Sequence, residues 1–263
     1  GTPDAPCGTR GRDSPGAAPF FHGIYGRTAL ELEALAGCLS SMSCAVTQVS
    51  TGLIIGMLLF LVASGLSLIF GVLGVINFAH GSFYMIGAYF AFSAYQLTDS
   101  FTLAILSGAL GVGIFGMAFE RLFMSKVYGR DVLMQLLVCY AFILILDDMV
   151  KILYGAEYKL MCMPQTFALP PLQIAGGYIP SYYVFMIGIS AVVGLVLWIG
   201  IAKTRFGKVV RAAAINPTMV GALGINTTLL YACVFGIGSL LAGTAGALAA
   251  PIRTLTPGMG LSI

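Results

Sequence analysis

Two polar residues, Asn77 and His80, lie in an apolar part of the chain and are the first candidates for chemistry. They share the segment 71–81 with glycines that include Gly74 and Gly81. Hydrocarbon offers no hydrogen-bond partner, so each polar side chain there requires protein or water as its partner. Glycine allows the backbone to bend or to approach a neighbouring helix closely. The pattern predicts a break between two membrane helices.

Asn77 and His80 have two interpretations at this break. They could line a gate or the translocation path of a transporter. The favoured interpretation is that they pin the break by donating to backbone carbonyls that Gly74 and Gly81 leave free. The sequence places no acidic residue beside His80, which argues against a proton relay.

The composition requires a membrane environment. Charged residues make up 9% and hydrophobic residues 59% of the 263 residues, whereas soluble domains contain about 25% charged residues. The apolar runs have the length of membrane helices and lack the alternation of barrel strands. The predicted fold class is therefore all-α, a polytopic helical membrane protein with about six transmembrane helices. The net charge of +3 does not indicate nucleic-acid binding. The expected environment of the chain is the lipid bilayer.

The predicted membrane helices follow one another between residues 52 and 250. In the last of them, glycines and alanines form a small-residue face. Such a face more commonly allows close helix packing, and the alternative is that it keeps a pore wide. The predicted helices run over about Gly52–Leu73, Gly81–Leu97, Phe101–Phe119, Val132–Val150, Tyr182–Ala202 and Thr228–Ala250.

Residues 1–48 differ in kind from the membrane domain at 49–263. They are rich in Gly, Pro, Ala and Arg, which predicts a disordered tail or sequence upstream of the true start. Met42 and Met57 are alternative starts. A weak amphipathic helix over Thr28–Leu39 is the other interpretation of the tail.

Loop charges predict the orientation of the chain. The loop 203–226 carries four basic residues and no acid, and the loop 120–131 carries three basic residues. Basic loops stay on the cytoplasmic side. Two membrane helices separate these two loops, so both are expected on the same side of the membrane. The connection 151–181 is then external, and its prolines and glycines predict an irregular path.

The sequence does not indicate an enzyme or a metal protein. Its six cysteines form no C-x-x-C pair and it has two histidines, so we expect no zinc or haem site and no cofactor. It has no phosphate-binding loop, no nucleophile elbow and no H-E-x-x-H motif. We therefore expect no catalytic residues, and the chain is not itself an ATPase.

The basic loop is too apolar for a solvated connector. A helix is predicted over Lys208–Ile215. Asn216 and Pro217 should cap and start a second short helix, which Gly224 ends. The residues favour equally a surface that docks into a groove on another protein and a helix that lies on lipid headgroups. The predicted apolar face consists of Met219, Val220, Leu223 and Ile225.

The run from Gly65 to Gly81 resembles the signature of the permease subunit of branched-chain amino-acid ABC transporters, a family that includes urea and amide permeases. The resemblance covers residues 50–263 in order. The other similar motifs are Tyr84-Met85-x-Gly87-Ala88-Tyr89, Glu120-Arg121, Thr204-Arg205-Phe206-Gly207, Arg211-Ala212, Leu223-Gly224-Ile225-Asn226, Ala242-Gly243-x-Ala245-Gly246 and Thr256-Pro257-Gly258-Met259-Gly260.

This resemblance implies a five-part importer of the bacterial inner membrane. Two permease subunits form the pore, two ATP-binding cassette ATPases drive it, and a periplasmic binding protein delivers the substrate. The resemblance implies that a coupling segment at 211–226 fits a cleft on the ATPase. The coupling candidates are Arg211, Ala212, Asn216, Pro217, Met219, Leu223, Gly224, Ile225 and Asn226.

The resemblance does not identify the substrate contacts. Branched-chain or related amino acids are the expected cargo, with urea or short amides as an alternative. A stand-alone channel or secondary transporter is a second alternative from a different class. Because family members extend beyond position 263, we expect this chain to be truncated at its C-terminus.

Overall fold

Long apolar runs form the helices of this chain, because a helix satisfies its own backbone hydrogen bonds without water. The computed structural model describes residues 42–161, 172–174 and 177–262. The helices are α1 Met42–Leu73, α2 His80–Thr98, α3 Phe101–Leu122, α4 Val132–Tyr154, α5 Ser181–Lys203, α6 Arg205–Ile215, α7 Pro217–Ala222 and α8 Thr227–Ala249.

Short elements complete the described part of the chain. Two 3₁₀ turns cover Met124–Lys126 and Met259–Ser262. The strands β1 Leu172–Ile174 and β2 Gly177–Ile179 form an antiparallel pair in which Leu172 is opposite Ile179. This pair lies within the connection that was predicted to be irregular.

The six predicted membrane helices correspond to α1 to α5 and α8, which confirms the all-α polytopic class. Among the described residues, α1, α3 with its following turn, α5 and α8 are long and apolar enough to cross a membrane. The other two long helices are α2 and α4, and α4 carries the adjacent residues Asp147 and Asp148.

The start of α1 differs from its predicted position. The helix begins at Met42, ten residues before Gly52, and so includes residues 42–48 of the predicted tail. The hydroxyls of Thr47 and Thr51 each donate to a backbone carbonyl four residues earlier, which satisfies polar side chains inside the helix. Residues 1–41, with the alternative helix at 28–39, lie outside the described residues.

Helix α8 is the centre of the bundle, where it packs against α1, α2 and α3. Every residue from Leu241 to Ala249 is buried. A Cβ atom on Gly238 would lie 2.8 Å from the carbonyl oxygen of Gly65, and one on Gly246 would clash with the backbone of Tyr84. The small-residue face of α8 therefore allows direct backbone contact between helices.

Glu120 corrects the predicted start of the loop 120–131. Helix α3 continues to Leu122, and Glu120 is fully buried in it. Its carboxylate lies near the hydroxyl of Tyr128, which is also buried. Burial, and secondarily the nearby Glu120 carboxyl, raise the pKa of Tyr128 above its ordinary value.

Replacing Gly246 with Ala should destabilise the bundle by about 1–3 kcal/mol or more, because the new methyl group meets the backbone of Tyr84, which cannot rotate away. Thermal unfolding of the detergent-solubilised protein would measure the change. Gly56→Ala is the matched control, since a Cβ at Gly56 meets no atom within 4 Å. Equal melting temperatures for the two variants would contradict this packing account.

Candidate functional site

The predicted break between the first two helices forms at residues 74–79. Helix α1 ends at Leu73, and Gly74 follows with φ +66°. This left-handed conformation commonly ends a helix and suits glycine. The amide of Gly74 donates to the carbonyl of Phe70 at 2.9 Å, which closes the last turn. The chain then runs irregularly until α2 begins at His80.

Asn77 organises the start of α2. Its side chain is buried, and Oδ1 accepts from the amide of Ala79 at 3.1 Å and from the thiol of Cys139 at 3.8 Å. Its backbone carbonyl accepts from the amide of His80 at 3.1 Å. Asn77 thus accepts from a backbone amide, whereas the sequence led us to expect donation to a carbonyl. Its Nδ2 is buried without a partner in the described part of the chain.

His80 joins α2 to the middle of α1. It is 3% exposed, and its Nε2 lies 3.1 Å from the carbonyl oxygen of Val62. A carbonyl oxygen only accepts, so Nε2 carries the proton and Nδ1 of the neutral ring is an acceptor. This acceptor is buried without a partner among the described residues. The bond to Val62 replaces the predicted bonds to carbonyls freed by Gly74 and Gly81.

A second irregular segment, at 251–260, follows α8 and returns into the bundle. Leu255 and Lys159 exchange two backbone hydrogen bonds, of 3.1 and 2.9 Å. Further along, the amide of Gly258 donates to Oδ1 of Asp147 at 3.0 Å. The segment then reaches α2, where a Cβ atom on Gly260 would lie 2.6 Å from the carbonyl oxygen of Gly81. The segment therefore contacts the first turn of α2, directly after the break, through Gly260 and Gly81.

The two neighbouring aspartates of α4 have different roles. Asp148 forms an exposed ion pair with Lys151, with 2.9 Å between Oδ1 and Nζ. Asp147 instead holds the 251–260 segment through Gly258. No local sequence signal indicated this second role, because the two partners are 111 positions apart.

A cavity of about 430 Å³ lies beside the break and the Gly81–Gly260 contact. Transporters often place their sites at such broken segments, because irregular backbone inside a membrane is tolerated where it lines a cavity. Its walls come from α1, α4, the break and Gly260, and Asn77 and His80 contribute to them. The structure thus brings together all the residues predicted at the break except Gly74, which precedes the cavity.

Helices α6 and α7 form the loop that was predicted as the coupling segment. Asn216 Oδ1 accepts from the amide of Met219 at 3.0 Å, and Pro217 occupies the first turn of α7. Gly224 follows α7 with φ +82°. Asn226 then caps α8 by accepting from the amide of Leu229 at 3.1 Å. These side-chain caps fix the path of the loop.

One face of this loop is anchored to the bundle. Val210, Ala213 and Val220 are buried in a cluster with residues of α8, and Leu73 at the end of α1 packs against that cluster. Ile225 also packs against this cluster. The predicted apolar face is therefore divided, with Val220 and Ile225 toward the bundle and Met219 and Leu223 exposed. The exposed large apolar residues of α6, α7 and the adjoining turn include Ile215, at 86%, Met219, at 64%, and Leu223, at 79% exposure.

The same loop also carries exposed cations. Arg211 donates from Nη1 to the carbonyl of Ile201 at 2.8 Å and so fastens α6 to α5. Ala212 is exposed beside it. Lys203, Arg205 and Lys208 are exposed as well, and residues 203–226 contain no acid. The surface therefore offers an apolar patch beside positive charge. No group of three or more potential metal ligands occurs among the described residues.

Comparisons with known proteins give the family. The model described as branched-chain amino acid transport system / permease component matches residues 48–263. The chain is 29% identical over 225 residues to the high-affinity branched-chain amino acid transport system permease protein BraD of Pseudomonas aeruginosa, which covers 81% of this chain and 73% of BraD. It is 30% identical over 220 residues to the corresponding permease protein LivH of Escherichia coli, which covers 76% of this chain and 69% of LivH.

No solved structure matches this chain significantly. The family model spans most of the chain, from the second turn of α1 to residue 263. The chain therefore belongs to the family of branched-chain amino acid transport permease components, and it is a membrane-embedded transporter subunit and not an enzyme.

Proposed function

We propose that this chain forms the pore of an ATP-driven importer for branched-chain or related amino acids. The observation that carries the proposal is the loop of α6 and α7, which exposes Met219 and Leu223 while Val220 anchors it in the bundle. An isolated protein would not gain by exposing these apolar side chains. Their position suits a groove on a partner. The relatives BraD and LivH are named for branched-chain amino acid transport, which supports this cargo.

The packing suggests how movement of the loop reaches the helix break. Val210 and Val220 of the loop lie in the same cluster as Leu73, the last residue of α1. Gly74, with its left-handed backbone, follows Leu73 directly. A displacement of the loop therefore acts on the end of α1. The next residue, Gly74, can change its backbone conformation there without steric cost because it has no side chain.

The transport cycle follows from this connection. ATP binding closes the partner ATPases, which push on the coupling segment 211–226 and shift the pore from inward-facing to outward-facing. Such alternating access is a population shift, driven by contacts that differ between the two states. Asn77 and His80 line the path at the cavity. Gly74 is the flexible point of the break, and Gly81 packs the first turn of α2 against Gly260.

The proposed assembly contains two ATP-binding cassette ATPase subunits, a second permease subunit and an external binding protein. It resides in the inner membrane of a bacterium. The basic loops 120–131 and 203–226 then face the cytoplasm, in agreement with the positive-inside rule. The segment 251–260 enters the bundle from the opposite side, where the binding protein would release its cargo.

Substituting Met219 and Leu223 with Asp should abolish binding of the ATPase, because two charges would enter an apolar contact. A loss of at least about 3 kcal/mol, or more than a hundredfold in affinity, is expected. Co-purification of the tagged permease with its ATPase from native membranes measures this. Both side chains are exposed, so membrane insertion should remain intact.

Leu97→Asp is the matched control for that experiment. Leu97 is 85% exposed and lies at the far end of α2, away from the loop, so this variant should retain the ATPase. Normal co-purification of the Met219 and Leu223 variant would remove the loop from the mechanism. The loop would then be a helix on the lipid surface, and a stand-alone channel or carrier would become the leading function.

The cargo is tested by uptake into proteoliposomes that contain the permease, the ATPase and the binding protein. We expect ATP-dependent accumulation of radiolabelled leucine, isoleucine or valine. Uptake of urea or acetamide alone would assign the chain to the amide branch of the family. Transport by the permease without its ATPase would contradict the importer and support a channel or secondary transporter.

A further inference from the structure

A groove lies between the last turns of α1, the end of α5 and the helix α6. We propose that it binds one anionic glycerophospholipid, whose phosphate contacts Arg211 and whose acyl chain lies along α1. The proposal requires only that the chain is embedded in a membrane, so it is independent of the cargo and of the ATPase. The residues that define this α1–α6 groove include Leu68, Gly71, Val72, Ile201, Val210 and Arg211.

The α1–α6 groove has an apolar floor. Its volume is about 380 Å³, and Leu68 and Val72 of α1 face Ile201 of α5 and Val210 of α6 across it. Leu68 and Val72 also pack against the cluster that anchors the loop to the bundle. Gly71 is exposed and lines the groove, so the groove is open at the protein surface. A hydrocarbon chain there would extend an apolar cluster that already exists.

Arg211 supplies the charged end of the groove. Its Nη1 donates to the carbonyl of Ile201 at 2.8 Å, which holds the guanidinium at the C-terminal end of α5. A guanidinium has five N–H donors in a planar fork that matches two oxygens of a phosphate, and the bond to Ile201 uses one of them. Arg211 is exposed, so a lipid headgroup can reach the other donors.

Two residues of α5 indicate the depth of this end in the bilayer. Trp198, which is 59% exposed, precedes Ile201 in sequence, and Lys203, the last residue of α5, follows it. Tryptophan and lysine near the end of a membrane helix are typical of the interface between hydrocarbon and water. Arg211 therefore lies at the level of lipid phosphates, and the groove continues along α1 toward the hydrocarbon.

The charge near Arg211 favours a headgroup with a net negative charge. Lys203, Arg205 and Lys208 are also exposed, and residues 203–226 contain no acid. Basic pockets between membrane helices bind anionic headgroups, and one cation near the membrane surface contributes about fivefold in affinity. The choline group of a zwitterionic lipid would be repelled by the same cations. An anionic phospholipid is therefore the occupant whose chemistry fits both ends of the groove.

Native mass spectrometry of the full chain, purified in detergent and stripped of lipid, tests this site with phosphatidylglycerol. Phosphatidylcholine with the same acyl chains lacks the net negative charge, and diacylglycerol lacks the phosphate. We expect saturable binding of one phosphatidylglycerol, at least about fivefold tighter than binding of either analogue. Inorganic phosphate at roughly 10 mM should not displace the lipid, because it lacks the acyl chain that fills the groove.

The variant Gly71→Leu tests the apolar part of the groove. A Cβ at Gly71 meets no atom within 4 Å, so the helix accommodates leucine and the new side chain occupies the groove. Phosphatidylglycerol and diacylglycerol should both bind at least about tenfold more weakly, because acyl methylenes are displaced. Gly56→Leu is the matched control, since Gly56 lies on the same helix with equally open space but outside the groove.

The variant Arg211→Gln tests the phosphate contact. It should weaken phosphatidylglycerol by about fivefold and leave diacylglycerol unchanged, because diacylglycerol offers no phosphate to the guanidinium. Arg130→Gln is the matched control, because Arg130 is an exposed cation of the other basic loop and does not line the groove. It should bind both lipids as the wild type does. Equal weakening of both lipids in Arg211→Gln would contradict the phosphate contact.

The proposal is overturned if the wild type binds phosphatidylglycerol no better than diacylglycerol, or if Gly71→Leu leaves its affinity unchanged. Displacement by inorganic phosphate would show that Arg211 binds free phosphate and would also overturn the lipid site. The wild-type comparisons decide the question even where a variant fails to fold. Transport is measured separately in the proteoliposomes, so failure of the lipid site and failure of the importer function are distinguishable.

Discussion

Direct backbone contact between α8 and its neighbours is the constraint on which the rest of the structure depends. Between apolar helices in a membrane the hydrophobic effect gives no driving force, so close packing has to supply the attraction. Gly65 and Gly238 let α1 approach α8, and His80 lies beside the same contact, where a Cβ on Gly65 would come within 3.2 Å of its ring. The bond from His80 to Val62 therefore depends on this helix spacing. A wider spacing would separate α2 from α1 and remove the wall that carries the cavity.

The two functional regions share a physical connection. The loop of α6 and α7 is stiffened by side-chain caps and is anchored by Val210 and Val220 against the end of α1. The break begins at the next residue, Gly74. On its other side, the break is held by the Gly81–Gly260 contact and, further along, by the bond between Asp147 and Gly258. A push on the loop thus acts on the irregular segment 74–79, which lies between the end of α1 at Leu73 and the first turn of α2 at Gly81.

Much of this architecture could be predicted from sequence, because membrane helices and caps are local signals. Asn216, Pro217 and Gly224 were predicted as the cap, the start and the end of the short helix, and the structure has them in these positions. The partner of His80, the burial of Glu120 and the link from Asp147 to Gly258 were not predicted. Each of these three features depends on which helices become neighbours in the fold. The spacing of residues within one segment does not determine which helices these are. Within the described residues, one nitrogen each of Asn77 and His80 has no partner, and this emerges only after every other bond there is assigned.

The most direct test of the account is whether nucleotide on the ATPase changes access to the helix break. Ile143, which is 4% exposed and lines the cavity, is replaced by Cys in a complex whose native cysteines have been substituted. Membrane-impermeant maleimide is then applied from each side. The account predicts labelling from the ATPase side without nucleotide, and from the opposite side with a non-hydrolysable ATP analogue. Labelling that is independent of nucleotide would contradict the proposed coupling between the loop and the break.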